Sequence, residues 1–255
     1  MQNYKIHKFM KGKTLSIITV SYNAANTIED TILSVIQQTY NNIEFIIIDG
    51  NSQDGTINII KKYESKISYW ISEPDKGIYD AMNKGLGIAN GEYILFLGAD
   101  DKLFSQDTIE KIVPNLKDDQ IYYGDCYITQ IRKIYWGKFN KYKLSIGNIC
   151  HQAIFYPKIV YKTKKYKTEY KIYADYVYNI ELFSNYPFTY LNETISIFNY
   201  NGISSSQKDL YFIKNQYRII QKELGILPVV LRFTFQLIRD IKHLIIPHKY
   251  ENIKA

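Results

Sequence analysis

The stretch Ile71–Asp101 (ISEPDKGIYDAMNKGLGIANGEYILFLGADD) holds the residues of this chain best suited to chemistry. Glu73 and Asp75 end a strand-like segment, Lys76 and Gly77 make a turn, and Asp80 and Lys84 share one side of the helical pattern that follows. The uncharged run Tyr93–Leu97 has the length and apolarity of a fully buried strand, and it ends at Asp100-Asp101. Open α/β sheets bind ligands in the crevice beyond the carboxyl ends of their strands, so the two aspartates fall where a ligand would lie. Adjacent carboxylates repel each other, and a divalent cation or a cationic substrate group relieves that repulsion.

The elements that must position these groups are legible on either side. Leu15–Val20 reads as a first buried strand running into the polar turn Ser21-Tyr22-Asn23. Asn26 and Glu29 have the spacing of a capping box, and Ile28, Ile32, Val35 and Ile36 give the predicted helix one apolar face. Ile43–Ile48 is a second strand, ending at Asp49. Gly50–Gly55 is turn-rich, with Asp54 placed to cap a helix over Thr56–Tyr63, and Ile67–Ile71 is a shorter third strand. Alternation at this pace predicts βαβ units and a mostly parallel sheet covered on both faces. Four strand ends then deliver polar groups to one crevice. Gly85, Gly87 and Gly91 follow a helix and precede a strand, the reverse of a dinucleotide-binding loop, and no GxxxxGK[ST] phosphate loop occurs.

Beyond Ser105 the pattern becomes α+β: a helix from Ser105 through Leu116, antiparallel strands over Ile121–Trp136 turning around Gly124-Asp125, and a strand over Asn148–Tyr156 with His151 and Gln152 near its start. A helix over Tyr173–Phe183 and strands at Phe188–Leu191 and Ile195–Tyr200 complete it. Gln207–Leu224 reads as helical. In Val229–Ile246, Arg232, Gln236, Arg239, Asp240 and His243 form one narrow polar stripe on an otherwise apolar helix, which suits the plane of a membrane interface.

The 255 residues suit one domain with an appended segment, and 46% hydrophobic residues are ample for a core. The 25 tyrosines suit half-buried positions or a sugar-like cleft. The net charge of +7, with lysines gathered in Lys158–Lys171 and in the last third, suits a polyanionic partner, but no module or aromatic-basic repeat points to nucleic acid. Cys126 and Cys150 lack metal-ligand spacing and are expected as buried free thiols in a reducing cytosol. The N-terminus has no apolar h-region and no run reaches membrane-spanning length, so a cytoplasmic protein is expected.

With these residues in place, residues 1–105 closely resemble the family 2 glycosyltransferases of GT-A fold, above all the bacterial branch that builds O-antigen, capsule and exopolysaccharide repeat units. The matching motifs, in order, are SIITVSYNA, IIIDGNSQDGT, SEPDKGIYDAMNKG and YILFLGADD; HQAIFY and ADYVYNIEL extend a weaker likeness into the second half. The resemblance implies an α/β GT-A fold: a Rossmann-like, mostly parallel central sheet with an α+β acceptor-side extension and C-terminal amphipathic helices. The catalytic domain would span residues 1–205, with a nucleotide-sugar half over 14–104 and an acceptor half over 105–205; residues 206–255 would form a helical, membrane-associating segment.

The resemblance also implies a nucleotide-sugar donor at the strand ends. Tyr22 would lie against the base with Asn23 beside it, Asp49 would bond the base edge, and Asp75, Lys76, Asp80 and Lys84 would line the ribose and phosphates. The family's metal-binding Asp-X-Asp maps onto Gly98-Ala99-Asp100, followed by Asp101. Its first acidic position is Gly98 here, so Asp100 and Asp101 are the expected ligands of Mn²⁺ or Mg²⁺ and Ala99 lies against the donor. Asp175, at the start of a late helix, matches the general base of inverting relatives, with His151 and Gln152 facing the acceptor or diphosphate and Asn201–Ser204 a loop near the donor. The expected activity is inverting transfer of a hexose or N-acetylhexosamine from a UDP-sugar to a glycan, carried on a polyprenyl diphosphate at an anionic membrane surface, with the enzyme peripheral on the inner face of the cytoplasmic membrane. A metal-dependent sugar nucleotidyltransferase and an inactive nucleotide-sugar-binding subunit are the alternatives. The first would carry a glycine-rich basic loop after the first strand, which SYNAAN lacks.

Overall fold

The structure, a computed structural model, describes residues 12–117, 119–135, 137–199 and 208–245, with the side chains of 242–245 outside the description. In chain order the first half runs β1 (Leu15–Ser21), α1 (Ile28–Ile36), β2 (Ile43–Asp49), α2 (Thr56–Lys62), β3 (Tyr69–Ser72), α3 (Ile78–Ile88), β4 (Tyr93–Phe96) and β5 (Lys102–Leu103). The second half runs α4 (Thr108–Ile112), β6 (Ile121–Ile128), β7 (Lys133–Ile134), α5 (Lys141–Ile146), β8 (Ile154–Pro157), α6 (Lys158–Tyr161), α7 (Ala174–Phe183), β9 (Phe188–Phe198), α8 (Leu210–Leu224) and α9 (Ile226–Ile245).

Among the described residues the strands join in the order β3-β2-β1-β4-β8-β6-β9-β5, with β7 beside β6. β1 through β4 are parallel, as the alternation requires. β8 enters antiparallel to both β4 and β6 and splices the two halves into one sheet. Period-2 geometry sends successive residues of β1 to opposite faces. Ile17 joins the layer under α1 with Ile28, Ile32 and Phe45, whereas Ile18 joins the layer under α3 and α7 with Met82, Leu86 and Val177. Each strand therefore feeds two cores, which is why its run is apolar throughout.

Local expectations were overridden at several points. Asn26 does not cap α1; Glu29 instead accepts bonds from Lys62 Nζ (2.7 Å) and Tyr63 OH (2.6 Å) on the neighbouring segment. Asp54 does take Thr56 N (3.1 Å) at the start of α2. Gly124-Asp125 is not a turn: β6 continues through it as one strand, with its register against β9 shifting there, and a side chain at Gly124 would collide with Glu193 O on β9. The glycine is there for that close approach of two strands. Phe188–Phe198 is one irregular strand, kinked at Asn192 (φ 51°), where two were expected. Only Ile154–Pro157 of the strand expected over Asn148–Tyr156 forms; His151–Ala153 is a short helical turn. Cys126 and Cys150 are disulfide-bonded, not free, because β6 and the segment entering that turn converge with Cα atoms 6.6 Å apart. The Asn201–Ser204 loop lies outside the described residues.

Candidate active site

The carboxyl ends of β1 and β4, with segments following β2 and β3, open onto one cavity of about 1780 Å³, which reaches across to α7, α8 and α9. Tyr22, Asn23, Asp75, Ala99, Asp100, Asp101, His151, Gln152 and Asp175 all line it. At the donor-half end Tyr22 stands 67% exposed on the rim, a free aromatic face beside Asn23. Asn23 has φ 49°, a backbone conformation asparagine tolerates, and its Oδ1 accepts Gln53 N (2.9 Å).

Four expected donor-site residues stand elsewhere. Asp49 is fully buried and is not part of the cavity lining; its carboxylate takes Ser21 Oγ (2.8 Å), Ser52 N (2.9 Å), Ser52 Oγ (2.6 Å) and Ser72 Oγ (2.7 Å). It ties three strand ends together beneath the floor. Lys84 is paired with Glu73 (2.7 Å) and donates to Pro74 O (2.9 Å), bracing the turn that carries Asp75. Asp80 accepts Lys76 N (3.0 Å) across the start of α3, so Asp80, Lys76 and Lys84 shape that turn from outside the cavity.

Asp100 and Asp101 converge over the bare face of Gly98. A Cβ there would come 2.5 Å from Asp101 Oδ2 and 3.1 Å from Asp100 Oδ1. The carboxylate of Asp101 thus fills the space that a side chain at the family's first acidic position would need. Burial raises the carboxyl of Asp100 above its usual range, and burial followed by the neighbouring Asp100 charge pushes Asp101 up to about 6. Gln152 Nε2 (2.8 Å) and Asn199 N (3.0 Å) hold Asp101 in place. No group of three or more His, Cys, Asp or Glu side chains arranged around a common metal position occurs among the described residues. The donor set nevertheless fits Mg²⁺ or Mn²⁺, hard ions commonly held by one or two carboxylates and completed by phosphate and water. Two crowded carboxylates with raised pKa values are the physical signature of a site that a cation would relieve.

At the other wall, Asp175 opens α7 with its side chain mostly buried and fully addressed. Tyr79 OH donates to Oδ1 (2.7 Å), Asn148 Nδ2 donates to Oδ2 (2.6 Å), and His151 Nδ1 lies 3.3 Å from Oδ2. Tyr79 also meets Ile172 O, and burial followed by the Asp175 charge holds its phenol well above the usual range, so it stays a donor. Neither Tyr79 nor Asn148 was singled out from the sequence. Tyr79 is one position from the noticed Asp80 but on the buried face of α3, and only the fold shows that this face meets α7. The polar stripe of α9 closes the same wall: Arg232 donates Nε to Gln216 Oε1 (2.6 Å) and Nη1 to Ser145 O (2.8 Å) and Tyr176 OH (3.2 Å). Its guanidinium also lies over the rings of Phe212 and Tyr176.

A cavity with a carboxylate pair at parallel strand ends and a third carboxylate on a late helix is the arrangement of a GT-A transferase. Residues 16–186 match the family model described as Glycosyl transferase family 2, and the chain belongs to that family. It is 32% identical over 216 residues to a PGL/p-HBAD biosynthesis glycosyltransferase of Mycobacterium bovis, covering 80% of this chain and 84% of that one. It is 43% identical over 100 residues to the putative teichuronic acid biosynthesis glycosyltransferase TuaG of Bacillus subtilis, covering 38% and 39%. Among solved structures, residues 1–349 of Staphylococcus aureus TarS in complex with UDP-GlcNAc superpose with a TM-score of 0.70 at 18% identity, over 82% of this chain and 66% of that one. The longer TarS chain is spanned over 39% of its length. The mannosyltransferase PcManGT of Pyrobaculum calidifontis, with GDP-Man and Mn²⁺, gives 0.61 at 16% identity over 89% and 65%. These likenesses are of fold.

Proposed function

We propose that this glycosyltransferase moves a hexose or N-acetylhexosamine from a UDP-sugar, with inversion, to a glycan acceptor carried on a polyprenyl diphosphate in surface-polysaccharide synthesis. The observation that carries the proposal is the pairing of two unlike carboxylate environments across one cavity: Asp100 and Asp101 crowded at strand ends, Asp175 held by three polar partners opposite. The relatives named for PGL/p-HBAD biosynthesis and, putatively, for teichuronic acid biosynthesis, and the UDP-GlcNAc bound to TarS, support the substrate class.

In this reading the UDP moiety rests against Tyr22 and Asn23, with the diphosphate towards Asp100 and Asp101. Asp100 and Asp101 would hold a divalent cation there, which would supply charge neutralisation for the departing diphosphate. Asp175 accepts the proton of the acceptor hydroxyl as that oxygen bonds to the anomeric carbon, and the carbon–oxygen bond to UDP breaks with its electron pair leaving on UDP. Tyr79 and Asn148 keep the carboxylate aimed, and substrate orientation supplies the rest of the rate.

The membrane part of the proposal rests on the outer face of α9. Leu227, Val230, Phe233, Leu237, Ile238 and Ile241 are exposed there, and among the described residues no helix is long and apolar enough to cross a membrane. An apolar face lying in the interface, on a chain of net charge +7, suits peripheral attachment to an anionic leaflet, here taken as the inner face of the cytoplasmic membrane. Titration of UDP into wild type and Asp100→Ala, with and without Mn²⁺, tests the donor end. Metal-strengthened binding lost in the variant is expected; absence of UDP binding under every condition overturns the donor assignment.

A further inference from the structure

Beyond Asp175 the cavity wall continues into three cations that the transfer step does not use: Lys171, Lys208 and Arg239. Three separate segments bring them together. Asp209 Oδ2 accepts Ile172 N (3.0 Å) and Tyr173 N (3.3 Å), while its Oδ1 caps α8 through Phe212 N (3.0 Å). The backbone next to Lys171 is thereby tied to the backbone next to Lys208. Helices α8 and α9 fold back on each other across Gly225, with Arg232 against Gln216. From that contact Arg239 lies two helical turns further along α9 and Asp209 two turns back along α8, each advance being about 10 Å. That path carries Arg239 towards the start of α8, where Lys208 stands, and both line the same cavity.

Lys171, Lys208 and Arg239 are all exposed, and among the described residues none is ion-paired. Asp240, the carboxylate nearest in sequence to Arg239, also lines the cavity and takes Gln236 Nε2 (2.8 Å); Arg239 Nη2 donates to Gln236 Oε1 (2.8 Å). Asp209, already engaged with three backbone N–H groups, lines the cavity as well, so three cations stand against two carboxylates and leave this pocket end net positive; a phosphate group is the ligand that meets several such donors at once. This end belongs to the elements that hold Asp175, not to those that carry Tyr22 and Asp100, so it serves the acceptor. Phe235 lines the cavity and is also exposed, continuing it into the apolar outer face of α9.

We infer that Lys171, Lys208 and Arg239 form an anion subsite for the phosphate or diphosphate of a lipid-linked acceptor, whose hydrocarbon leaves over the apolar face of α9. The inference rests on the glycosyl-transfer reading and adds the residues that select the acceptor. The test titrates farnesyl diphosphate, inorganic pyrophosphate and farnesol into the full chain saturated with UDP and Mn²⁺, and again without UDP. Wild type is expected to prefer farnesyl diphosphate to both others. Lys208→Ala and Arg239→Ala should each weaken it about tenfold, the scale of one charge-assisted hydrogen bond, with UDP affinity unchanged. Lys214→Ala, exposed on α8 but outside the cavity, should change nothing. Pyrophosphate binding as tightly as farnesyl diphosphate overturns the lipid-linked acceptor. Variants that bind the probe like wild type, or a probe that displaces UDP, overturn the subsite. Loss of UDP binding in wild type counts against the transfer reading alone, because the UDP-free titration still compares the variants.

Discussion

Asp101→Asn separates what the acidic pair does for function from what it does to stability. The Asp101 carboxyl is 1% exposed, and burial with the Asp100 charge raises it from 3.8 to about 6 in the folded protein. A folded-state value above the unfolded one means that the native protein binds the extra proton. The associated stability is complete below about pH 4 and lost as pH rises through about 6. The gap of roughly two units amounts to about 3 kcal/mol. Asparagine keeps the shape without the charge, so in EDTA at pH 8 the variant should be more stable by about 2–3 kcal/mol. For a chain of this length that is a rise in Tm of roughly 4–12 °C. The advantage should fall to about half at pH 5 and nearly vanish at pH 4, where the wild-type carboxyl is itself neutral. Thermal unfolding followed by circular dichroism at those three pH values measures it. Added Mn²⁺ should raise the wild-type midpoint at pH 8 and leave the variant's unmoved. A variant no more stable than wild type at pH 8, or one whose advantage does not shrink on acidification, refutes the reasoning that the pair is strained for cation binding.

Other perturbations probe the remaining parts. Asp175→Asn should reduce transfer by about 10²–10⁴-fold, the range for losing a general base, with UDP affinity in calorimetry nearly unchanged; surviving transfer moves the base elsewhere. Tyr79→Phe should lower kcat about tenfold and leave the donor KM in place, since it removes one bond to the base and none to the donor. Replacing Val230, Leu237 and Ile241 together by serine removes three exposed apolar side chains at about 1.5–3 kcal/mol each if a membrane buries them. Co-sedimentation with phosphatidylglycerol vesicles should drop at least a hundredfold with the Tm unchanged, and undiminished binding excludes this face. Reducing Cys126–Cys150, which closes a loop of sequence separation 24, should lower stability by about 3 kcal/mol on the chain-entropy account. Two reactive thiols titrated in the untreated protein would contradict the bond.

What the sequence made legible and what it hid follow from one distinction. Strand runs such as Ile43–Ile48 and Tyr93–Leu97, and the polar groups at their ends, are local properties, so the parallel half and the crevice could be read directly. Whether a strand-end polar group faces the crevice or ties its neighbours is not local. Asp49 turns on the company of Ser21, Ser52 and Ser72, and Lys84 on Glu73. The same holds for Gly124, whose glycine answers to Glu193 on another strand, and for Tyr79, bonded to a carboxylate 96 residues away.

Helix α9 carries this furthest. Its periodicity gives a polar stripe and an apolar remainder, but a stripe does not say which side meets the protein. The usual surface helix buries the apolar side; here the stripe turns inward and the apolar side is left outside. Arg232 decides the orientation. Its guanidinium meets Gln216, Ser145 O and Tyr176 OH inside the cavity wall, and rotating the helix to bury its leucines would strip that charge of every partner. A helix held by its polar face above an active site gives up the burial of its apolar residues in the isolated protein. That arrangement is explicable where another apolar phase, such as a bilayer carrying the acceptor, covers them instead.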